Sequence, residues 1–97
     1  MATYLVLANW TEQGIKGVKE SPRRLDAARE LARSLGVEVK EFYLTMGAYD
    51  MVVRLEAASD EAVAKLALVL GSGGNLRTVT LKAFGEAEYR EIVGSLP

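Results

Sequence analysis

A small α+β domain built on one antiparallel sheet is the fold this sequence predicts, and three observations predict it. Apolar residues alternate with period two in four short stretches, over 3–10, 37–46, 49–56 and 75–84. Two stretches with helical spacing, over 22–35 and 60–70, lie between the first and second of these and between the third and fourth. The middle two strands are parted only by Gly47-Ala48, which reads as a hairpin break. The order is therefore β-α-β-β-α-β. Right-handed crossovers and that hairpin select the ferredoxin-like sheet, strand order 4-1-3-2, with both helices on one face.

The first strand, over 3–10, carries Tyr4, Val6, Ala8 and Trp10 on one side and Leu5, Leu7 and Asn9 on the other. Neither side is polar until its end, which predicts a central strand covered twice. Thr11 is the expected N-cap of a short helix over 11–19, with Glu12 in the first turn. Ser21 as N-cap and Pro22 at the first helical position open the main helix over 22–35. Its buried stripe is Leu25, Ala28, Leu31, Ala32 and Leu35; Arg24, Glu30, Arg33 and Ser34 face water, and Gly36 stops it.

The second strand starts with Val37 and Val39 opposite Glu38 and Lys40, the pattern of an edge. In the third, Met51, Val53 and Leu55 are expected under the helices. Ser59 caps the second helix, whose stripe is Val63, Leu66, Ala67 and Leu70; Leu68 and Val69 fall off it and predict further covered surface. In the fourth strand Val79, Leu81 and Ala83 are assigned to the helix face. Asp50, Val52, Arg54, Glu56, Thr78, Thr80 and Lys82 go to the opposite face. A terminal helix over 86–93 is expected to dock through Tyr89, Ile92 and Val93.

The chain reads as a single domain over 1–97, with its core over 3–84 and a tail over 85–97. A net charge of −1 gives no electrostatic footprint for nucleic acid or an anionic membrane, no stretch is long enough to span a bilayer, and a cytoplasmic location is expected. With no cysteine and no histidine, thiol chemistry, thiolate zinc sites and the commonest general base are excluded. No residue pattern names a metal or a cofactor.

The topology gathers the end of the first strand, the first helical turn, the hairpin turn and the Gly71–Gly74 loop at one edge of the sheet. Trp10, Thr11, Gln13, Tyr43, Tyr49 and Asp50 are expected to converge there, with Arg23 or Lys16 supplying charge. Trp10 is read either as a packing anchor or as a ligand-stacking platform. Asp50 is read as a cap on backbone N–H groups or as a general base, and Tyr43 and Tyr49 as packed rings or as acids. Arg54 and Glu56, on the open face, pair across a subunit contact or line a cavity between subunits. The glycine-rich loop lacks a lysine and follows a helix, so a nucleotide site is rejected.

Gly47-Ala48-Tyr49-Asp50, preceded by Phe42-Tyr43-Leu44-Thr45-Met46, resembles the Gly-x-Tyr-Asp signature of the GYD-domain family of small bacterial and archaeal proteins. Tyr4, Trp10-Thr11 with Gly14-Ile15, Ser21-Pro22-Arg23-Arg24-Leu25, and Gly74-Asn75 with Arg77-Thr78 extend the likeness over roughly residues 3–84. The resemblance implies a ferredoxin-like, oligomeric domain and no mechanism. Apolar residues on both sides of a sheet with two helices predict a homodimer or higher homo-oligomer that holds a small molecule, or else coverage of the second side by the C-terminal helix or a monomer whose open face is merely amphipathic. The alternative is a cofactor-independent isomerase or oxygenase of the dimeric α+β barrel type, with Asp50, Tyr49 and Tyr43 as its catalytic candidates.

Overall fold

Pairing in register around the first strand decides where every side chain of the sheet points. The computed structural model describes residues 1–97. It contains β1 Ala2–Trp10, α1 Glu12–Lys16, a 3₁₀ turn Val18–Glu20, α2 Ser21–Ser34, β2 Val37–Leu44, β3 Met51–Ala57, α3 Asp60–Ser72, β4 Leu76–Ala83 and α4 Glu86–Gly94. The sheet is antiparallel in the order β2-β3-β1-β4, which is the expected order read from the other edge.

The helix layer packs on the face that carries Tyr4, Ala8, Leu55 and Ala57, and the core cluster adds Ala32, Val37, Val63 and Leu66 from around it. Tyr4 pairs with Leu55, Val6 with Val53 and Ala8 with Met51, so β3 lies as expected. β4 does not. Leu7 pairs with Val79 and Leu5 with Leu81, which puts Val79, Leu81 and Ala83 on the open face and Thr78, Thr80 and Lys82 on the face that carries the helix layer, Thr80 and Lys82 being exposed at its rim. Directly paired residues share a face, so the register with β1 overrides the rule that apolar residues point inward. Lys82 tolerates its position by reaching the rim, where its Nζ lies 3.0 Å from Asp60 at the start of α3. The open face consequently holds Leu5, Leu7, Val52, Val79 and Leu81, and the last two are each 45% exposed.

A β-bulge between Val39 and Glu41 shifts the alternation of β2 by one residue. Past the bulge Phe42 faces the helices, while Glu41 and Tyr43 pair with Arg54 and Val52 on the open face. The strands flanking the hairpin end earlier than expected, at Leu44 and Met51. Gly47 takes φ +130°, and the Asp50 N–H bonds to β1 instead, reaching the Ala8 carbonyl at 3.0 Å.

Thr11 and Ser59 cap α1 and α3 as expected, accepting from the Gly14 and Ala62 N–H groups. Ser21 is not a cap. The 3₁₀ turn runs straight into α2, so Ser21 is already helical at φ −57° and Glu20 occupies the cap position. Pro22 sits in the first turn, where its missing N–H leaves no bond unmade. Arg24 is half-buried rather than wet, its guanidinium donating to the Gly17 carbonyl at 2.7 Å. Every residue of α4 is exposed, so Tyr89, Ile92 and Val93 do not dock on their own chain. Strands of this length span roughly 30 Å, whereas the molecule is 51 Å along its longest axis. α4 extends from the end of the sheet where Ala83 pairs with Thr3.

Candidate functional site

The far end of the sheet, where β1 finishes, is tied together by polar side chains. Asp50 Oδ2 accepts the Trp10 N–H at 3.1 Å, and the Asp50 N–H reaches Asn9 Oδ1 at 2.9 Å. Thr11 donates twice to the glycine loop: its N–H to the Asn75 carbonyl at 3.0 Å and its Oγ1 to the Gly74 carbonyl at 2.6 Å. Gln13 Nε2 donates to Asn75 Oδ1 at 3.0 Å. Gly14 is the residue the join depends on, because a Cβ there would stand 2.1 Å from the Asn75 carbonyl oxygen. The expected gathering of strand end, helical turn, hairpin and glycine loop is thus present, and Trp10, Thr11, Gln13 and Asp50 belong to it. Asn9, Gly14 and Asn75 also belong to it. The one mark the sequence carries for this close approach is Gly14 itself, a glycine inside a short helix where propensity disfavours it.

Tyr49 contributes its carbonyl, which accepts from Thr45 Oγ1 at 2.6 Å, and is itself half-buried. Tyr43 is not at this edge. The β2 bulge sends it to the open face, where its hydroxyl donates to Glu41. Arg54 bonds the other Glu41 oxygen and reaches Glu56 at 3.1 Å, so Arg54 and Glu56 pair within the chain. The bond from Tyr43, and after it the one from Arg54, hold the Glu41 carboxyl below its ordinary range, while the same bond holds the Tyr43 hydroxyl above its own. Arg23 and Lys16 are exposed and pair with Glu20 and Glu12 on their own turns, so neither reaches the Asp50 cluster with a hydrogen bond.

Behind Trp10, α2 and α3 part from each other and leave a cavity of about 310 Å³ between themselves and the sheet. Trp10, Leu25, Phe42, Met51, Val53 and Leu70 supply most of its wall, with Ser21, Arg24, Asn75 and Thr78 as its polar fringe. The Arg24 guanidinium is engaged with backbone carbonyls, so the wall offers hydroxyl and amide groups and little free charge. This is the size and character of a site for a small, mostly apolar molecule. No group of three or more carboxylates or other ligand side chains stands close enough to hold a metal ion. No helix is long and apolar enough to cross a membrane.

A second polar cluster sits at the opposite end of the sheet. The Tyr4 hydroxyl donates to Asp60, and Lys82 Nζ lies 3.0 Å from the same carboxylate. The bond to Asp60 holds the Tyr4 hydroxyl above its ordinary range. In return Tyr4 first, then Lys82, hold Asp60 below its own.

The family model described as the GYD domain matches residues 4–93. A relative from Thermus thermophilus described as "Glutamine synthetase and cystathionine beta-lyase binding protein" is 36% identical over 89 residues, covering 91% of this chain and 94% of that one. A crystal structure from Thermus thermophilus superposes with TM-score 0.55 at 28% identity, over 88% of this chain and 95% of that chain. MtbAldR superposes with TM-score 0.68 at 13% identity, a likeness of fold alone; the match covers 88% of this chain, which spans about half of that protein's length (52%).

Proposed function

We infer that this chain, which belongs to the GYD domain family, is a homo-oligomeric binding domain for a small, largely apolar molecule. The observation that carries this reading is the cavity of about 310 Å³ behind Trp10, walled by aromatic and aliphatic side chains with hydroxyl and amide groups at its fringe. Trp10 is assigned to the cavity wall, and Thr11, Gln13, Tyr49 and Asp50 to the support of the strand end that carries it, Asp50 by accepting the Trp10 N–H. Self-association is assigned to the open sheet face, because Leu5, Leu7, Val52, Val79 and Leu81 form an apolar strip that water alone faces in a single subunit. Tyr43, Arg54 and Glu56 flank that strip and would be enclosed with it.

Trp10 is the only tryptophan, so it reports directly on occupancy. Titration with 8-anilinonaphthalene-1-sulfonate and with a panel of aromatic and short acyl acids is expected to change Trp10 emission saturably. Ala28→Phe, which fills the cavity wall, removes that response while the chain still melts cooperatively. Emission that stays flat across the panel, or that saturates equally in the Ala28→Phe variant, rules the cavity out as the site.

A second reading is favoured by the relative whose description names two enzymes it binds: this domain docks on partner enzymes. Leu68 on α3 supports it, being 73% exposed next to Val69, itself 47% exposed. Calorimetric titration against purified glutamine synthetase and cystathionine beta-lyase tests it, and Leu68→Glu is expected to weaken any heat of binding.

A further inference from the structure

We propose that α4 is a clasp for a second copy of this chain, seated at the α1 end of the partner. The inference rests on the sheet-face pairing proposed above and adds to it a contact that the sheet does not make. Tyr89, Ile92 and Val93 recur at i, i+3 and i+4, an apolar stripe along one side of α4, with Leu96 just past its end, yet all four are exposed, from 44% to 64%. An amphipathic helix with nothing on its apolar side is stable only when a surface covers it.

Within its own chain α4 lies on no such surface: its residues stay exposed and the open face of its own sheet stays uncovered. α4 leaves the sheet where Ala83 pairs with Thr3, and the exposed apolar residues Ile15 and Val18 lie past Trp10, at the other end. The length of β4 separates them, roughly 25 Å, and α4 is only about 13 Å long. When two open faces meet with their strands opposed, each α4 lies against the other subunit's α1 end. Charge agrees with this arrangement. Glu88 and Glu91 on α4 make no ion pair, and neither do Lys19 and Arg77 at the receiving end.

Area gives a separate argument. An open face four strands wide and about eight residues long covers roughly 500 Å², so two faces alone bury about 1,000 Å² in total, below the range of stable interfaces. Two helices of this length, each about 10 Å wide, bring the total to roughly 1,500 Å². The clasp moves the contact from marginal to ordinary size.

Sedimentation equilibrium of four proteins tests it: the full chain, a chain lacking residues 86–97, Ile92→Glu, and the open-face variant Leu81→Glu. The full chain is expected to dimerise. Truncation and Ile92→Glu weaken the dimer at least about 30-fold, with the circular dichroism melt of the dilute subunit unchanged because α4 packs on nothing within it. Pairing Glu88→Lys with Lys19→Glu recovers part of what either loses alone. A truncated chain whose dimer constant stays within about twofold of the full chain overturns the clasp; if Leu81→Glu is then monomeric, the sheet-face reading stands without it. A full chain that sediments as one subunit overturns both.

Discussion

The two faces of β1 carry side chains of the same kind and have opposite fates. Tyr4 and Ala8 are each 3% exposed beneath α2 and α3, whereas Leu5 and Leu7, their immediate neighbours, stay only half-covered on the open face. Hydrophobicity therefore does not by itself assign a face. What assigns it is the presence of a helix layer on one side, together with a register that hands the uncovered side Val79 and Leu81. The comparison teaches that burial, and the stability that comes with it, is concentrated on one face, while the other keeps an exposed apolar strip of the kind proposed above for self-association.

Substitutions should separate the faces by their cost. Leu55→Ala, beneath the helices at 2% exposure, is expected to lower the unfolding free energy by about 3 kcal/mol through lost burial and the cavity left behind. Urea denaturation measures it. A loss below that of an open-face leucine would break the comparison. At the polar end, Gly14→Ala forces a methyl group toward the Asn75 carbonyl and should cost about 2 kcal/mol as the α1 turn is pushed off the glycine loop. Asp50→Ala, which strips the acceptor from the Trp10 N–H, should cost about 1 kcal/mol, with a red shift of Trp10 emission as its second readout.

Acid and alkali sharpen the contrast through Asp60, Glu41, Tyr4 and Tyr43. Asp60 and Glu41 have folded pKa values below their ordinary ones, so their contribution is present above the unfolded carboxylate range and fades as pH falls through the depressed values. Tyr4 and Tyr43 have raised values, so theirs is complete below the ordinary tyrosine range near pH 10 and fades above it. Denaturation midpoints from pH 2 to 11 should fall at both ends, and Tyr4→Phe should flatten the alkaline limb more than Tyr43→Phe, since only Tyr4 is enclosed by the core. The smallest effect is predicted for Leu81→Thr in dilute protein, within about 0.5 kcal/mol, because a half-exposed side chain has little burial to lose.

Much of the fold was legible in the chain itself. Strand alternation, the Thr11 and Ser59 caps, the Gly36 stop and the order of the sheet follow from local chemistry that each residue carries with it. The polar edge was legible as well, since the topology brings Trp10, Thr11, Gln13 and Asp50 to one end whatever their exact contacts. Tyr43 was misplaced because one extra residue in β2, at Lys40, reverses the alternation beyond it, and no local signal marks that bulge.

Period-two patterning in Leu76–Ala83 establishes that Val79, Leu81 and Ala83 share a side, but it does not say which side of the sheet that is. Only pairing with β1 decides, since a partner strand aligns side chains across the ladder regardless of their polarity. The cavity behind Trp10 is likewise absent from any single stretch: it exists because α2 and α3 close over Tyr4 and Leu55 and part before reaching Trp10. α4 shows the same division. Its helical stripe is written in Tyr89, Ile92 and Val93, while only the folded chain shows that the helix leaves the sheet beyond Ala83 with that stripe uncovered.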